Sequence, residues 1–510
     1  MYHFSEYLDE NGHRMTSGIF IGQGSSLQML VDLARQLPLD HIGLYASYLR
    51  WYQDYIEQAP YIEQAPFSVL KEWEIYNNLP ELDTDVLAHY DALFGYGELW
   101  QAVIADRRAI LGVNATLHQD YRPRFDEHTM RRILQSHLQA IQAWWDTIQP
   151  DFVIAYNCVT VGDYLMYLFA RTYDVPYFNL RATKIRDYVQ YEPHPFQTSL
   201  MIPEQLGDPP EAHFLEIADD YLTHVQNKNA LYEGVRKSSE KQTPFRVLLN
   251  SAFTVMTDEW RYRTSEQRRD NHTVSPLKER LNHRFMGQWR KRQHDAQLAP
   301  HYLAESQLVS TNYVLFPLHS EPEVALLLNG RPYLNQIELV RYLATHLPTT
   351  THLLIKDHPL AYTRRSTGYY KKLLEIPNVR FIHPKVKSRP IIQQAQAVVV
   401  ITGSIGLEAT ILGKPVIALA QPPYTLLPDT MVRHVRALDQ FANTLANLMA
   451  DYEYDASALR HFIAHQISLS ASIKLYSVLL GRKNVVQTGT SEYAAEIDKL
   501  TAYTQSVLKL

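Results

Sequence analysis

The stretch Gln396–Leu419 leaves few folds open to this chain. Val398–Ile401 is an unbroken β-branched run, the pattern of a strand buried on both faces. Thr402-Gly403-Ser404-Ile405-Gly406 follows at once, Leu407–Leu412 reads as a helix, and Gly413-Lys414-Pro415 stops it. Val416–Leu419 is the next buried strand. Strand, small-residue turn, helix, turn and strand make a βαβ unit. Its turn leaves backbone N–H groups bare at the positive end of the helix, which suits a phosphate or another anion. Glu408 lies four residues after Ser404, on the same helical face, where a carboxylate can accept from ribose hydroxyls. The same glycines also serve a tight turn and close helix–strand packing.

The rest of the chain must supply partners for such a unit. At 510 residues it exceeds one ordinary core and predicts two domains. Hydrophobic residues at 46% and charged residues at 20% describe a globular protein, and a net charge of −5 gives no reason to expect nucleic acid. Cys158 is the single cysteine, which excludes an internal disulfide and a cysteine-based zinc site. The opening MYHFSEYLDENGHRM lacks a basic-then-apolar signal pattern. No apolar run approaches the roughly 20 residues that span a bilayer. The expectation is a cytoplasmic protein, with attachment to the inner membrane surface left open.

A second βα unit stands near the start. Thr16–Ile21 is a candidate strand, Gly22-Gln23-Gly24-Ser25-Ser26 a loop, Leu27–Leu37 a helix and His41–Tyr45 a strand. Tyr55–Pro60 (YIEQAP) repeats at once as Tyr61–Pro66, a local duplication suited to a surface loop. Asp85–Leu111 and Asp126–Thr147 read as helices, Asp151–Tyr156 as a strand, the segment through Arg171 as a helix and Val175–Leu180 as a strand. Alternating strands and helices imply a parallel sheet, whose ligand crevice lies beyond the carboxyl ends of its strands. Asn157, Asp163, Arg181 and Arg186 fall at or after such ends, and each could equally cap a helix or form a surface ion pair.

Arg261–Arg292 differs in composition, with ten basic residues against three acidic ones, and Phe285 and Trp289 four apart. It reads as a solvated inter-domain helix, a patch for an anionic lipid surface, or a binder of a polyanionic acceptor. A second alternating series then begins. Strands are expected at Tyr313–Leu318, His352–Lys356 and Val379–His383, and helices at Asn335–His346, Tyr369–Leu374 and Arg389–Ala395. Tyr424–Leu510 reads mainly as helix.

Three strand ends in this second series carry polar clusters: Pro317–Glu323, Lys356-Asp357-His358-Pro359, and Thr402-Gly403-Ser404. Parallel strands end together, so all three belong on one edge of the sheet. Lys356 and His358 are two apart and point the same way if the strand persists. With a helix N-terminus they would form an anion site, and His358 could protonate or hydrogen-bond a leaving phosphate.

Phe316–Glu323 (FPLHSEPE), the KDHP segment and Thr402–Ala409 (TGSIGLEA) followed by Gly413-Lys414-Pro415 resemble the capsule and surface polysaccharide biosynthesis glycosyltransferases, allied to the Kdo transferases of capsule assembly. The likeness is clearest from Tyr313 to Tyr424 and weaker over Asp151–Asp187. It implies an α/β protein of the GT-B class, two doubly wound Rossmann-like domains with a helical linker and C-terminal helices. The expected division is an acceptor-side domain over 1–245, a basic helical linker over 246–305, a nucleotide-sugar domain over 306–450 and helices over 451–510 that pack back.

The resemblance further implies sugar transfer from a nucleotide-activated donor to a surface or capsular glycan or glycolipid acceptor. His358-Pro359 would hold the nucleotide phosphate, and Thr402, Gly403, Ser404 and Gly406 would meet it as well. Glu408 would meet the ribose, while His319, Glu321 and Lys356 would line the same cleft. No metal or other cofactor is expected, since a helix dipole and basic side chains can stabilise the departing phosphate. The acceptor base would come from the first domain, with Asp163 and Asp106 as candidates. Other readings are a nucleotide-sugar epimerase or polyol-phosphate transferase of the same fold, and a non-catalytic nucleotide-sugar-binding component of polysaccharide assembly.

Overall fold

The computed structural model describes residues 16–53, 62, 66–111, 123–196, 208–227, 245–264, 274–481 and 488–510. The first sheet contains β1 (Ser17–Gly22), β2 (His41–Ala46), β3 (Phe67–Lys71), β4 (Phe152–Ala155), β5 (Tyr177–Ala182) and β6 (Tyr188–Glu192). The second contains β7 (Tyr313–Pro317), β8 (His352–Lys356), β9 (Val379–Ile382), β10 (Ala397–Val400), β11 (Val416–Ala418) and β12 (Val432–His434). A short β13 (Ala471–Ser472) returns to the edge of the first sheet.

The second sheet runs β12-β11-β10-β7-β8-β9, all parallel. Chain order reverses between β7 and β10, and this reversal opens a crevice above their carboxyl ends. The first sheet runs β13-β6-β5-β4-β1-β2-β3. Its β1 to β5 are parallel and reverse between β1 and β4, while β6 and β13 are antiparallel additions at one edge. Two doubly wound α/β units are thus present, as the GT-B expectation requires.

Burial on both faces explains the apolar runs. Ile19 and Ile21 of β1 enter one core and Phe20 the other. In β10, Val398 and Val400 face one core while Ala397 and Val399 face its opposite. Strict alternation sends neighbouring side chains to opposite faces, so a strand between two helical layers must be apolar throughout. Gly413, at φ 71°, ends the helix Ser404–Ile411 in the left-handed region that a side chain resists.

Several expectations need correction. Asp85–Leu111 is three helices, Thr84–Phe94, Glu98–Ala105 and Arg107–Leu111, not one. Gly95 and Gly97 adopt positive φ between the first two, and extended Asp106 separates the last two. The strands β3, β6, β12 and β13 are not among the expected elements. Helix Ala212–Asn227, within the range assigned to the first domain, buries Ala218, Tyr221 and Val225 in the second domain's core. Its Asp219 receives a bidentate pair from Arg460 at 2.6 Å. The final helix, Ser491–Leu508, lies on the first domain, where Tyr493 donates to Asp32 at 2.8 Å and Thr501 to Gln36 at 2.7 Å. Most of the YIEQAP repeat falls outside the described residues.

Candidate functional site

The strand-order reversal of the second sheet faces the carboxyl ends of β4 and β5 of the first across a cavity of about 400 Å³. From the second domain, Pro317–Ser320 after β7, His358 after β8, and Thr402–Ile405 after β10 line it. From the first come Tyr156 and Asn157 after β4, and Arg181, Ala182 and Lys184 at the end of β5. Tyr476, on the segment that returns from the second domain, completes that side.

His319 stands at the β7–β10 reversal. Its Nε2 accepts a long bond from the Thr402 N–H at 3.5 Å, and Gln336 brackets its backbone. The His319 N–H donates to Gln336 Oε1 at 2.8 Å, and Gln336 Nε2 donates back to the His319 carbonyl at 3.1 Å. Burial, with Arg365 and His358 nearby, lowers its imidazole to about 4, so it is neutral at pH 7.

Behind the histidines lies a buried ionic network. Arg365 donates through Nε to Asp357 Oδ2 at 2.7 Å, through Nη1 to Glu321 Oε1 at 3.2 Å and through Nη2 to the His319 carbonyl at 2.6 Å. Its guanidinium stacks over the Tyr369 ring at 4.3 Å. Asp357 accepts from the backbone N–H of His358 at 2.7 Å and from the Tyr370 hydroxyl. Gln336 also donates to Glu321. Burial opposes the charge on Arg365, but Asp357, Tyr369 and Glu321 together hold it firmly protonated. This network couples the loop after β7 to the loop after β8.

The helix Ser404–Ile411 points its N-terminus into the cavity, and no side chain caps it. Its first amides are oriented for an anion. The Gly403 carbonyl is taken by the Tyr424 hydroxyl at 2.6 Å. Opposite stand Arg181 and Lys184, two cations of the first domain. Lys184 Nζ donates to the Tyr476 hydroxyl at 3.3 Å. Glu323 is the one carboxylate among the described lining residues. Its side chain stays open to solvent at the cavity wall; the surrounding protein desolvates the carboxyl and raises it, while Lys184, Arg107 and Arg364 pull it back down.

The structure brings together His319, His358, Thr402, Gly403, Ser404, Asn157 and Arg181. It does not bring the remaining candidates to the cavity wall. Lys356 is buried and donates to the Pro384 carbonyl at 3.2 Å, because β8 ends at Lys356 and the two-residue periodicity stops there. Pro359 starts the short helix Pro359–Tyr362. Glu321 belongs to the Arg365 network. Gly406 packs against Tyr424: a Cβ there would stand 2.3 Å from its hydroxyl oxygen. Glu408 is raised by burial and held back by Arg389 and Lys356, away from the cavity wall. Arg186 pairs with Asp220.

Asp163 and Asp106 serve the backbone. Asp163 forms a capping box with Thr160, accepting from the N–H groups of Val159 at 2.9 Å and Thr160 at 3.0 Å, and from Gln23 Nε2 at 2.9 Å. Asp106 accepts from the N–H groups of Arg108 at 2.8 Å and Ala109 at 3.1 Å. Sequence reasoning missed Gln336 and Arg365, and it placed Glu323 in the Pro317–Glu323 cluster without a role. Glu323 carried a signal, since it sits two residues beyond the candidate Glu321 in FPLHSEPE. Among the described residues, no cluster of three or more His, Cys, Asp and Glu side chains is placed to hold a metal ion. No described helix is long and apolar enough to cross a membrane.

No curated protein matches the chain. Among solved structures, the β-Kdo 2,4-transferase of Thermosulfurimonas dismutans KpsC is similar at 13% identity and a TM-score of 0.33, over 61% of this chain and 78% of that one. The β-Kdo 2,7-transferase of the same protein is similar at 12% identity and 0.33, over 72% and 90%. A Neisseria meningitidis UDP-GlcNAc 2-epimerase is similar at 12% identity and 0.23, over 89% and 97%. Residues 262–470, which hold all three sequence motifs, match the family described as capsule polysaccharide biosynthesis protein, so the resemblance read from those motifs holds over this region.

Proposed function

We propose that this protein is a glycosyltransferase that moves a sugar from a nucleotide-activated donor to a surface or capsular polysaccharide acceptor. One observation carries the reading: an uncapped helix N-terminus, two histidines and two opposing cations converge on a cavity between the strand-order reversal of the second sheet and the carboxyl ends of β4 and β5. The family match over 262–470 supports the capsule context.

In this reading the donor phosphate lies over the amides of Ser404 and Ile405, beside His358. Negative charge grows on that phosphate as its bond to the anomeric carbon breaks. Helix amides and fixed basic side chains meet the charge without reorganising. The acceptor hydroxyl enters between the domains, its oxygen bonds to the anomeric carbon, and its proton passes to Glu323. A cavity-wall carboxylate raised by partial desolvation is the better proton acceptor. Neutral His319 holds the floor of the cleft through Thr402. No step requires a metal, and turnover is expected to survive chelation.

The test is a thermal-shift screen against CMP, CDP, UDP, GDP and dTDP, repeated on His358→Ala and Glu323→Gln, with transfer assays on whichever donor binds. A ligand that binds only the folded state raises the midpoint by mass action. The expected result is a shift with one nucleotide, lost in His358→Ala and kept in Glu323→Gln, with transfer falling about 100-fold or more in the latter. No shift with any nucleotide, or interconversion of the free nucleotide sugar without acceptor, overturns the reading.

A further inference from the structure

Helices Pro276–Leu281 and Gly287–Leu298, joined through Asn282–Met286, form one continuous rod. Leu277, Leu281, Phe285 and Trp289 follow one another at four-residue spacing along it, and all are exposed, Phe285 by 62% and Trp289 by 53%. Met286 is exposed beside them. The preceding helix, Phe245–Thr264, adds exposed Met256 and Trp260, the latter by 69%. Glu259 joins the two elements: its carboxylate accepts from the Ser275 hydroxyl at 2.6 Å and the Leu277 N–H at 3.1 Å. Trp260 and Leu277 therefore flank the same junction. Exposed Arg261, Lys278 and Arg292 accompany these apolar side chains.

From this we infer that the hairpin built from residues 254–264 and 274–292 docks on an anionic lipid bilayer. Single exposed apolar residues are ordinary, but a run of Leu, Phe, Met and Trp along one rod is not. Charge chooses the occupant. The stretch Arg261–Arg292 carries ten basic and three acidic residues in a chain whose net charge is −5. Lipid phosphates attract such a stretch, and Trp and Phe settle at the headgroup boundary, where aliphatic Leu and Met find hydrocarbon. A soluble acidic glycan would satisfy the cations and leave Leu277, Leu281 and Met286 in water.

The rod is fixed to the second domain near the cleft. Arg290 Nε donates to the Thr363 carbonyl at 2.8 Å, and His294 Nδ1 donates to the Tyr362 carbonyl at 2.8 Å. Those carbonyls lie four and five residues beyond His358. Docking would hold that loop, and the cleft it borders, at a set orientation to the bilayer. The inference does not depend on which reaction the cleft performs.

Flotation of the full chain with vesicles tests it, comparing pure phosphatidylcholine with phosphatidylcholine containing about one-third phosphatidylglycerol. The wild type is expected to float with the anionic vesicles and to be released by salt. The combined variant Trp260→Ser/Phe285→Ser/Trp289→Ser should lose at least about tenfold in partitioning. Lys278→Gln/Arg292→Gln should lose about fivefold for each cation removed. Both variants should keep the wild-type melting midpoint and nucleotide-induced shift, because the changed residues are exposed and lie outside the cavity wall. Failure of the wild type to float, or equal flotation of the apolar variant, overturns the inference. So does a wild-type dimer that the apolar variant turns into a monomer without any vesicle binding, which would make the face a contact between copies.

Discussion

Arg365 Nε and Asp357 Oδ2 are paired at 2.7 Å inside the second domain, and each partner also holds the backbone of a different cleft histidine. Arg365 takes the carbonyl of His319, while Asp357 takes the N–H of His358. Removing one member of a buried pair strands the other charge, at a cost of about 3–5 kcal/mol. Arg365→Met should therefore lower stability by that amount in urea unfolding. It should also weaken nucleotide binding at temperatures where the variant is still folded. Arg365→Lys keeps the charge but not the forked geometry, so it should recover only part of both losses. Undiminished nucleotide binding by folded Arg365→Met would show that the pair does not position the histidines.

The two glycines of the TGSIG turn should respond differently to alanine. At Gly406 a Cβ would meet Tyr424 Oη at 2.3 Å and its ring carbons at 2.6 and 2.8 Å. Tyr424 is buried and hydrogen-bonded to Gly403, so its ring cannot swing away cheaply. Overpacking of this kind costs about 1–3 kcal/mol, which a lowered melting midpoint would show for Gly406→Ala. At Gly403 the backbone is ordinary, with φ −68°, and a Cβ would find His319 at 3.6 Å. Gly403→Ala should leave the midpoint within about 0.5 kcal/mol of wild type. Equal losses at both positions would contradict this division.

These glycines also show what a sequence can disclose. The run Val398–Val400 announces a strand between two cores because each residue must be apolar whichever face it takes. The turn after it announces an anion site because small residues leave amides bare. Nothing local says that Gly406 faces Tyr424, eighteen residues on, rather than a phosphate. Arg365 was invisible for the same reason: TRRS reads as a polar surface segment, and only the fold brings it beneath His319. Lys356 is misplaced because β8 ends at it, two positions short of His358, where the two-residue rule no longer applies. The three-residue β12 was too short for any periodicity to announce it.

Two histidines, buried His137 and half-buried His319, should make stability depend on mild acid. His137, whose Nδ1 donates to the Ile133 carbonyl at 2.8 Å, is lowered to about 4 by burial, with Glu72 at 3.7 Å on its other side. His319 is lowered to about 4 as well. In the unfolded chain each returns to about 6.5. Between these values the unfolded state binds more protons, so each histidine subtracts stability as pH falls from about 6.5 to 4. The full swing is of the order of 3 kcal/mol per group. Comparing urea midpoints of His137→Leu and wild type from pH 7.5 to 4.5 isolates one contribution. The variant should gain on the wild type as pH falls, and a pH-independent difference would refute the buried, neutral assignment.

Asp163 should behave with the opposite sign. Burial first, then Glu72, raises its carboxyl to about 7, against the downward pull of the Val159 and Thr160 donors. The unfolded value is near 3.9, so between these limits the folded state holds the extra proton. That contribution is present at acidic pH and fades as pH rises through about 7. Asparagine keeps an oxygen for the capping N–H groups and removes the titration. Asp163→Asn should therefore be costlier at pH 5 than at pH 8, by a few kcal/mol in urea unfolding. Alanine removes the titration and the acceptor together, strands buried donors and should cost about 1–3 kcal/mol more than asparagine at each pH. Transfer activity separates this capping role from acid–base work. Both variants, assayed where they are folded, should keep activity within about tenfold of wild type, while a loss of 100-fold or more in Asp163→Asn would return this carboxyl to the chemistry.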